Sequence, residues 1–146
     1  MTDKTAALET LHVRLIDSRD GYADALEHVS NPSLKSTITE LHQHRVRDAQ
    51  ALRQHLVAAG ADIDEDGSLL AAAHRTFLDL KDKVTGSDDS AILAEIVRGE
   101  KQLLEAYDDA LEASGAADPA YSVLTEQKAA LAQAIAQIEA RRDLAA

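Results

Sequence analysis

The sequence lacks cysteine and tryptophan, and its 146 residues include only two prolines, six glycines, one phenylalanine and three tyrosines. Without cysteine, the chain forms no disulfides, holds no metal through thiolates and has no cysteine nucleophile. A β-sheet would need more β-branched and aromatic residues than this composition supplies. The absences therefore disfavour a sheet protein and exclude thiol chemistry.

Long apolar runs and excess positive charge are also missing. No apolar run approaches the roughly 20 residues that span a bilayer, and residues 1–7 do not have the charged-then-apolar pattern of a signal peptide. We therefore expect a soluble, cytoplasmic protein. The formal net charge of −11 repels phosphate backbones and anionic membrane surfaces. Neither nucleic acid nor a membrane is expected as a partner.

What the sequence has in abundance is helix-forming residues, above all 28 alanines. Such a composition predicts an all-α protein. Asn31-Pro32 and Asp118-Pro119 each place a capping side chain before a proline at the first helical position. Gly60 and Gly115 follow apolar-periodic segments, where a left-handed residue ends a helix. These signals predict four long helices over residues 3–29, 32–59, 88–114 and 119–144, and a short helix over residues 68–84.

Each long segment carries a stripe of residues at the three-four spacing of a helix with one buried face. The four stripes are Leu8, Leu11, Leu15, Ser18, Tyr22, Ala25 and Val29; Leu34, Ile38, Leu41, Arg45, Asp48, Leu52 and Leu56; Leu93, Ile96, Glu100, Leu103, Tyr107 and Leu111; and Leu124, Leu131, Ile135 and Ile138. Short links after the first and third helices predict hairpins, and the long segment after the second predicts a crossover. We expect one domain over residues 1–146, an antiparallel four-helix bundle whose crossover contains the short helix.

A faint internal repeat accompanies the two hairpins. Residues 22–26 (Tyr-Ala-Asp-Ala-Leu) read almost like residues 107–111 (Tyr-Asp-Asp-Ala-Leu). Such self-similarity is typical of duplicated units, but alanine-rich helices also produce chance matches. Both interpretations stay open.

Several motifs, taken in order, resemble an uncharacterised bacterial branch of the ferritin-like superfamily, four-helix-bundle proteins of unknown function. Residues 73–81 (Ala-His-Arg-Thr-Phe-Leu-Asp-Leu-Lys) are similar to that family's His-Arg motif with an aromatic residue and Leu-Lys after it. Residues 85–89 and 91–95, then Arg98-Gly99-Glu100 and Tyr107, follow at the expected distances. Residues 17–22 and Arg142-Asp143 resemble its first-helix and C-terminal segments. The resemblance implies a ferritin-like fold and no particular activity.

The metal ligands of ferritin-like proteins are largely missing from this chain. Metal-binding members use a glutamate from each of two helices and a Glu-x-x-His motif from each of the other two. The sole Glu-x-x-His here, Glu9 to His12, lies near the start of the first helix, and we interpret it as an exposed pair. Ile135 and Arg19 stand where the family pattern has a histidine and a glutamate. We therefore predict no metal and no cofactor; if metal binds, the candidate ligands are Glu100, Asp48, His44 and Glu95.

A central polar cluster interrupts the stripes near mid-helix. Its members are Ser18, Arg19, Arg45, Asp48 and Glu100. Buried charges are costly unless they are paired, so one interpretation is that Glu100 pairs with the guanidinium of Arg45 or Arg19 in the bundle centre. The other is that these residues lie at the edge of the stripes and meet solvent.

The remaining polar residues indicate no catalytic site. His28, His42, His44 and His55 are interpreted as surface residues, and His74 as a residue that caps or packs the short helix. Residues 62–67 lack the full spacing of a calcium loop, so we expect a solvated turn there.

Three functions remain possible for such a chain. The first is a non-catalytic bundle of unknown biological role that acts through packing, self-association or a protein partner. The second is a carboxylate-bridged di-metal protein or oxidase with iron or manganese. The third is a ligand-binding protein with a core cavity lined by small residues. The missing ligands favour the first, so enzymatic activity is not expected.

Overall fold

The computed structural model describes residues 2–27, 29–60 and 89–145. These residues form four helices: α1 (Thr2–Leu26), α2 (Pro32–Ala58), α3 (Asp89–Ser114) and α4 (Tyr121–Ala145). No strand occurs in the three described ranges, and the all-α prediction is confirmed. The predicted crossover, its short helix over 68–84 with His74, and the turn over 62–67 lie outside the described residues.

The predicted boundaries of α2 agree with the structure to within one residue. The Asn31 side-chain oxygen accepts hydrogen bonds from the backbone N–H groups of Ser33 (2.9 Å) and Leu34 (3.2 Å), and Pro32 opens the helix. At the other end, Gly60 has a φ of 91°, which suits a residue without a Cβ. Gly115 closes α3 in the same way, with a φ of 77°.

Two predicted helix ends differ from the structure by more than one residue. The first helix ends at Leu26, not at residue 29, because the chain must become extended at Asn31, which precedes a proline. Val29 stays buried even so. The fourth helix begins at Tyr121, because Asp118 and Tyr121 each donate to a carbonyl three residues back. Pro119 therefore lies in a turn and is not the first helical residue.

The four helices pack around one hydrophobic cluster to which each contributes. α1 contacts α2 and α3 extensively, α3 contacts α4, and α2 meets α4 over a short stretch. The predicted stripes are buried, apart from Asp48 and Leu111, which are half-buried. The next residue along α2, Ala49, is buried where the stripe predicted Asp48.

Membrane spanning requires a long apolar helix. Among the described helices, none has that combination of length and apolarity.

Candidate functional site: a buried polar network

Three helices place a polar side chain at the same level of the apolar core. Ser18 on α1 and Glu100 on α3 are fully buried, and Arg45 on α2 is 3% exposed. Each occupies a stripe position that a hydrophobic residue would otherwise take, with apolar neighbours one turn before and after it. Because the stripes face one another, the three side chains meet inside the molecule.

Arg45 and Glu100 form a direct ion pair through Nη2 and Oε2. The Nε of Arg45 donates to the Ser18 hydroxyl (3.1 Å), and its Nη1 lies 3.6 Å from Oδ2 of Asp48. Tyr22 Oη donates to the other oxygen of Glu100 at 2.6 Å. Each of the three guanidinium nitrogens of Arg45 thus faces an oxygen, and each carboxylate oxygen of Glu100 has a partner. Charges can be buried in a protein core when they are paired in this way.

The electrostatics keep these groups in fixed protonation states near neutral pH. Burial alone would lower the pKa of Arg45, but the charge of Glu100 beside it raises that pKa above its ordinary value. Burial and the Glu100 charge raise the pKa of Tyr22 well above its ordinary value. Arg45 therefore stays cationic and Tyr22 keeps its proton, so neither exchanges a proton in a reaction near pH 7.

The polar contacts continue to the fourth helix. Gln127 on α4 donates from Nε2 to the backbone oxygen of Asp48 (3.4 Å) and accepts at Oε1 from Tyr107 Oη (2.8 Å). Burial raises the pKa of Tyr107, and it also raises that of Asp48, although the nearby charge of Arg45 acts in the opposite direction. We call this set the central network: Ser18, Tyr22, Arg45, Asp48, Glu100, Tyr107 and Gln127.

Arg19 lies apart from the central network. Its Nε donates to Asp20 at 3.0 Å, and about a quarter of its side chain is exposed. The residue follows Ser18, so it points about 100° further around the helix. The structure thus places Arg45, and not Arg19, against Glu100.

Of the four candidate metal ligands, Asp48 and Glu100 both contact Arg45, while Glu95 and His44 make other contacts. Glu95 pairs with Arg98 on its own helix, and His44 is half-buried beside a groove between α2 and α4. Glu100 is occupied by Arg45 and Tyr22. In the part of the chain that the structure describes, no group of three or more His, Asp or Glu side chains could hold a metal ion. A guanidinium beside the central carboxylate does not fit a di-metal site, whose ligands must be anionic or neutral donors.

The interpretation of Glu9 and His12 as an exposed pair was wrong for His12. Glu9 is exposed, but His12 is 2% exposed. The buried face of α1 is wider than the three-four stripe, and it includes Ile16 one turn further on. Burial, followed by the charges of Arg53 and Arg19, lowers the pKa of His12 from 6.5 to about 4.

Three members of the central network were not recognised as polar site residues from the sequence. The sequence pattern places Tyr22 and Tyr107 in the apolar stripes, and it assigns no role to Gln127. A signal was present for the tyrosines, because a buried phenol requires a hydrogen-bond partner. Gln127 fills the gap between Leu124 and Leu131 on the buried side of α4, so the spacing could have revealed it.

Comparison with known proteins assigns the chain to a family. No curated protein and no solved structure matched the chain. A family described as "Domain of unknown function (DUF2383)" matched residues 3–113. The match covers more than half of the chain and includes the first six members of the central network along the sequence. The chain therefore belongs to the DUF2383 family of domains of unknown function.

Proposed function

We propose that this chain is a non-catalytic, ferritin-like bundle of unknown biological role that acts through packing or protein association. In this proposal the molecule is one domain, and its centre is closed by side chains in place of metal ions. The observation that carries the proposal is the buried ion pair between Arg45 and Glu100. A fixed guanidinium there supplies the positive charge that a bound metal supplies in metal-binding bundles.

An antiparallel arrangement of α3 and α4 is supported by two ion pairs between them. Nζ of Lys101 lies 3.1 Å from Oε2 of Glu139, and Nζ of Lys128 lies 2.5 Å from Oδ1 of Asp108. Advancing along α3 therefore corresponds to moving back along α4. Antiparallel neighbours joined by a short link are the building units of ferritin-like bundles.

Metal titration tests the proposal. Purified, metal-free protein is incubated with ferrous iron, manganese or zinc, and bound metal and melting temperature are measured. We expect little bound metal and an unchanged melting temperature, because ligands that bind the folded state raise it. About two metal ions per chain, with a large rise in melting temperature, would overturn the proposal and support the alternative, a di-metal protein or oxidase.

A variant sharpens this test by removing the internal cation. Arg45→Glu places a second carboxylate beside Glu100, so the variant should be strongly destabilised and partly rescued by a divalent cation, which the wild type should not require. The matched control is Arg98→Glu, which creates a similar carboxylate pair with Glu95, but at a position where residue 98 is 43% exposed. No rescue is expected for the control. Equal responses of both variants would contradict the electrostatic role assigned to Arg45.

The association part of the proposal is supported by the outer face of α4. Between residues 129 and 140 every exposed residue is alanine or glutamine: Ala129, Ala130, Ala132, Gln133, Ala136, Gln137 and Ala140. Two copies of a chain with a net charge of −11 repel each other least where such an uncharged face meets its counterpart. A second copy of this chain is therefore the first partner to test.

A further inference from the structure

The side of the molecule that α2 and α4 form exposes few acidic residues. Across α2, which the structure describes in full, Glu40 is the only exposed acid. The described side chains of α3, by contrast, expose four acids, which are Glu105, Asp108, Asp109 and Glu112. Because the chain has a net charge of −11, a second copy is repelled least at the surface with the fewest acids.

Most exposed residues of α2 form one stripe whose charges cancel. The stripe residues recur at alternating intervals of four and three, so they are neighbours along one line of the helix. They are Ser36, Glu40, Gln43, Arg47, Gln50, Gln54 and Val57. Only Glu40 and Arg47 are charged, and neither forms an ion pair within the part of the chain that the structure describes. Both charges are therefore available to a partner.

The spacing of Glu40 and Arg47 makes this stripe complementary to itself. Seven residues are nearly two helical turns, so the two side chains lie about 10 Å apart along α2 and within about 20° of each other around it. A twofold axis midway between them, beside Gln43, brings α2 of a second copy antiparallel to the first. Glu40 of each copy then faces Arg47 of the other copy. The Gln43 amide, which both donates and accepts, can pair with its own counterpart near the axis.

The stripe lies on the same side of the molecule as the uncharged outer face of α4. Glu40 lines the groove between the two helices together with Gln133 and Gln137 of α4. Between residues 129 and 140 the exposed residues of α4 are all alanine or glutamine, so they add no repulsion. With 27 residues, α2 is about 40 Å long, and two adjacent helices are about 20 Å wide. Together they present roughly 800 Å², the area that each partner buries in a typical stable interface.

We infer that two copies of this chain associate through the α2–α4 face, which comprises the α2 stripe and the exposed residues of α4 between 129 and 140. In the dimer, α2 packs antiparallel to α2 and α4 antiparallel to α4, about a twofold axis beside Gln43. Two reciprocal ion pairs between Glu40 and Arg47 fix this register, because like charges placed opposite each other repel. The inference rests on the association proposed above, and it adds the face, the register and the charges that select them.

An exchange of charges between two variants tests the inference. Glu40→Arg leaves two positive charges on the stripe, and Arg47→Glu leaves two negative ones. Each variant alone should dimerise less than the wild type, with a dissociation constant raised about tenfold or more, because both pairs across the axis then have like charges. An equal mixture of the two variants should form heterodimers, in which both pairs are again opposite. Sedimentation velocity measures association, and a fluorescent label at the N-terminus of one variant identifies the mixed dimer.

Net charge separates the expected result from general repulsion. Glu40→Arg makes the chain less acidic, so general repulsion alone predicts tighter association, the opposite of what we expect. The matched control, Glu105→Arg, makes the same exchange at an exposed position of α3 and should not weaken association. Glu40→Arg dimers as stable as those of the wild type would overturn the inference and leave association through another surface. A wild type that is monomeric at every concentration would overturn both the inference and the proposed association.

Discussion

At the residue scale, the ion pair between Arg45 and Glu100 has a large energetic consequence. Removing two charges from water costs several kcal/mol for each ion, and mutual attraction repays this only when geometry and additional hydrogen bonds are good. Ser18 and Tyr22 supply those hydrogen bonds here. The pair therefore contributes little net stability over an apolar pair, but either charge left alone is expensive.

A double-mutant cycle on this pair should show strong coupling. We expect Arg45→Met and Glu100→Leu each to lower the free energy of unfolding by about 3–5 kcal/mol, because each leaves its partner buried and unpaired. The double variant should be more stable than either single one. Urea unfolding measures all four free energies.

The matched cycle uses Arg98→Met and Glu95→Leu, a pair in which residue 98 is 43% exposed. Exposed pairs contribute about 0–1 kcal/mol, so coupling there should be small. Additive effects at Arg45 and Glu100 would contradict the role of the pair.

The stability of the protein should depend on pH through His12. Because its pKa is lowered from 6.5 to about 4 in the folded state, the unfolded chain binds this proton more readily. The contribution of His12 is therefore present above pH 6.5 and is lost as the pH falls towards 4. Solvent screens the charges of Arg19 and Arg53, which are only half-buried, so we expect a loss of about 2 kcal/mol or less from this residue.

Urea unfolding of wild type and His12→Gln across that pH range measures this contribution. The two curves should run parallel above pH 7, and the wild type should lose more stability below it. Identical slopes throughout would show that His12 titrates alike in the folded and unfolded states.

At the scale of the element, the first turn of α2 is the best-defined helix start. Asn31 accepts two backbone hydrogen bonds there. Asn31→Ala should lower the free energy of unfolding by about 1 kcal/mol, measured by urea unfolding. Ser30→Ala, at the exposed residue before it, is the control and should have a smaller effect. Equal effects would mean that the cap contributes nothing specific.

The sequence predicted which segments are helical better than where the helices end. Apolar spacing over 25 residues or more overrides local detail, so the presence of all four long helices followed from it. The positions of the helix ends depend on a few backbone hydrogen bonds. Asp118-Pro119 carries the same signal as Asn31-Pro32, yet three-residue turns delay the start of α4 to Tyr121.

The central network was only partly predictable for a similar reason. Polar residues in an apolar stripe make Ser18, Arg45 and Glu100 candidates for neighbours in the core, but the same pattern allows them to lie at the edge of the stripes. The choice between Arg45 and Arg19 depends on rotation about α1. The contact between Tyr107 and Gln127 joins two helices, and no pattern along one helix contains that information. His12 is buried although it lies outside the predicted stripe, because the face that α1 buries is wider than that stripe.

At the scale of the whole molecule, the central network joins all four helices through adjoining polar contacts. The packing contacts alone run mainly within the two pairs α1–α2 and α3–α4 and between α1 and α3. Gln127, through its bond to the backbone of Asp48, strengthens the junction of α2 with α4, where packing is sparse. The polar contacts therefore hold the side of the molecule that apolar packing holds least.

Self-association through α4 is the prediction that concerns the molecule as a whole. Ala132→Glu with Ala136→Glu places two negative charges on its uncharged outer face and should shift any dimer to monomer, since like charges at an interface repel. Sedimentation velocity over a range of concentrations measures the change. The control, Ala94→Glu with Ala113→Glu, adds the same charge at exposed positions of α3 and should leave association unchanged. A wild type that stays monomeric at every concentration would contradict the prediction.

Because Arg45 lies in the first pair of helices, α1 and α2, and Glu100 in the second, α3 and α4, the two halves of this chain are not interchangeable. A homodimer of first halves would bring arginine towards arginine in a dry interior, and one of second halves would bring glutamate towards glutamate. Each like-charged assembly is disfavoured, whereas the mixed assembly neutralises both ions. If one ancestral pair of helices was duplicated to make this chain, opposite charges at the centre would make each copy associate with the other copy and not with itself.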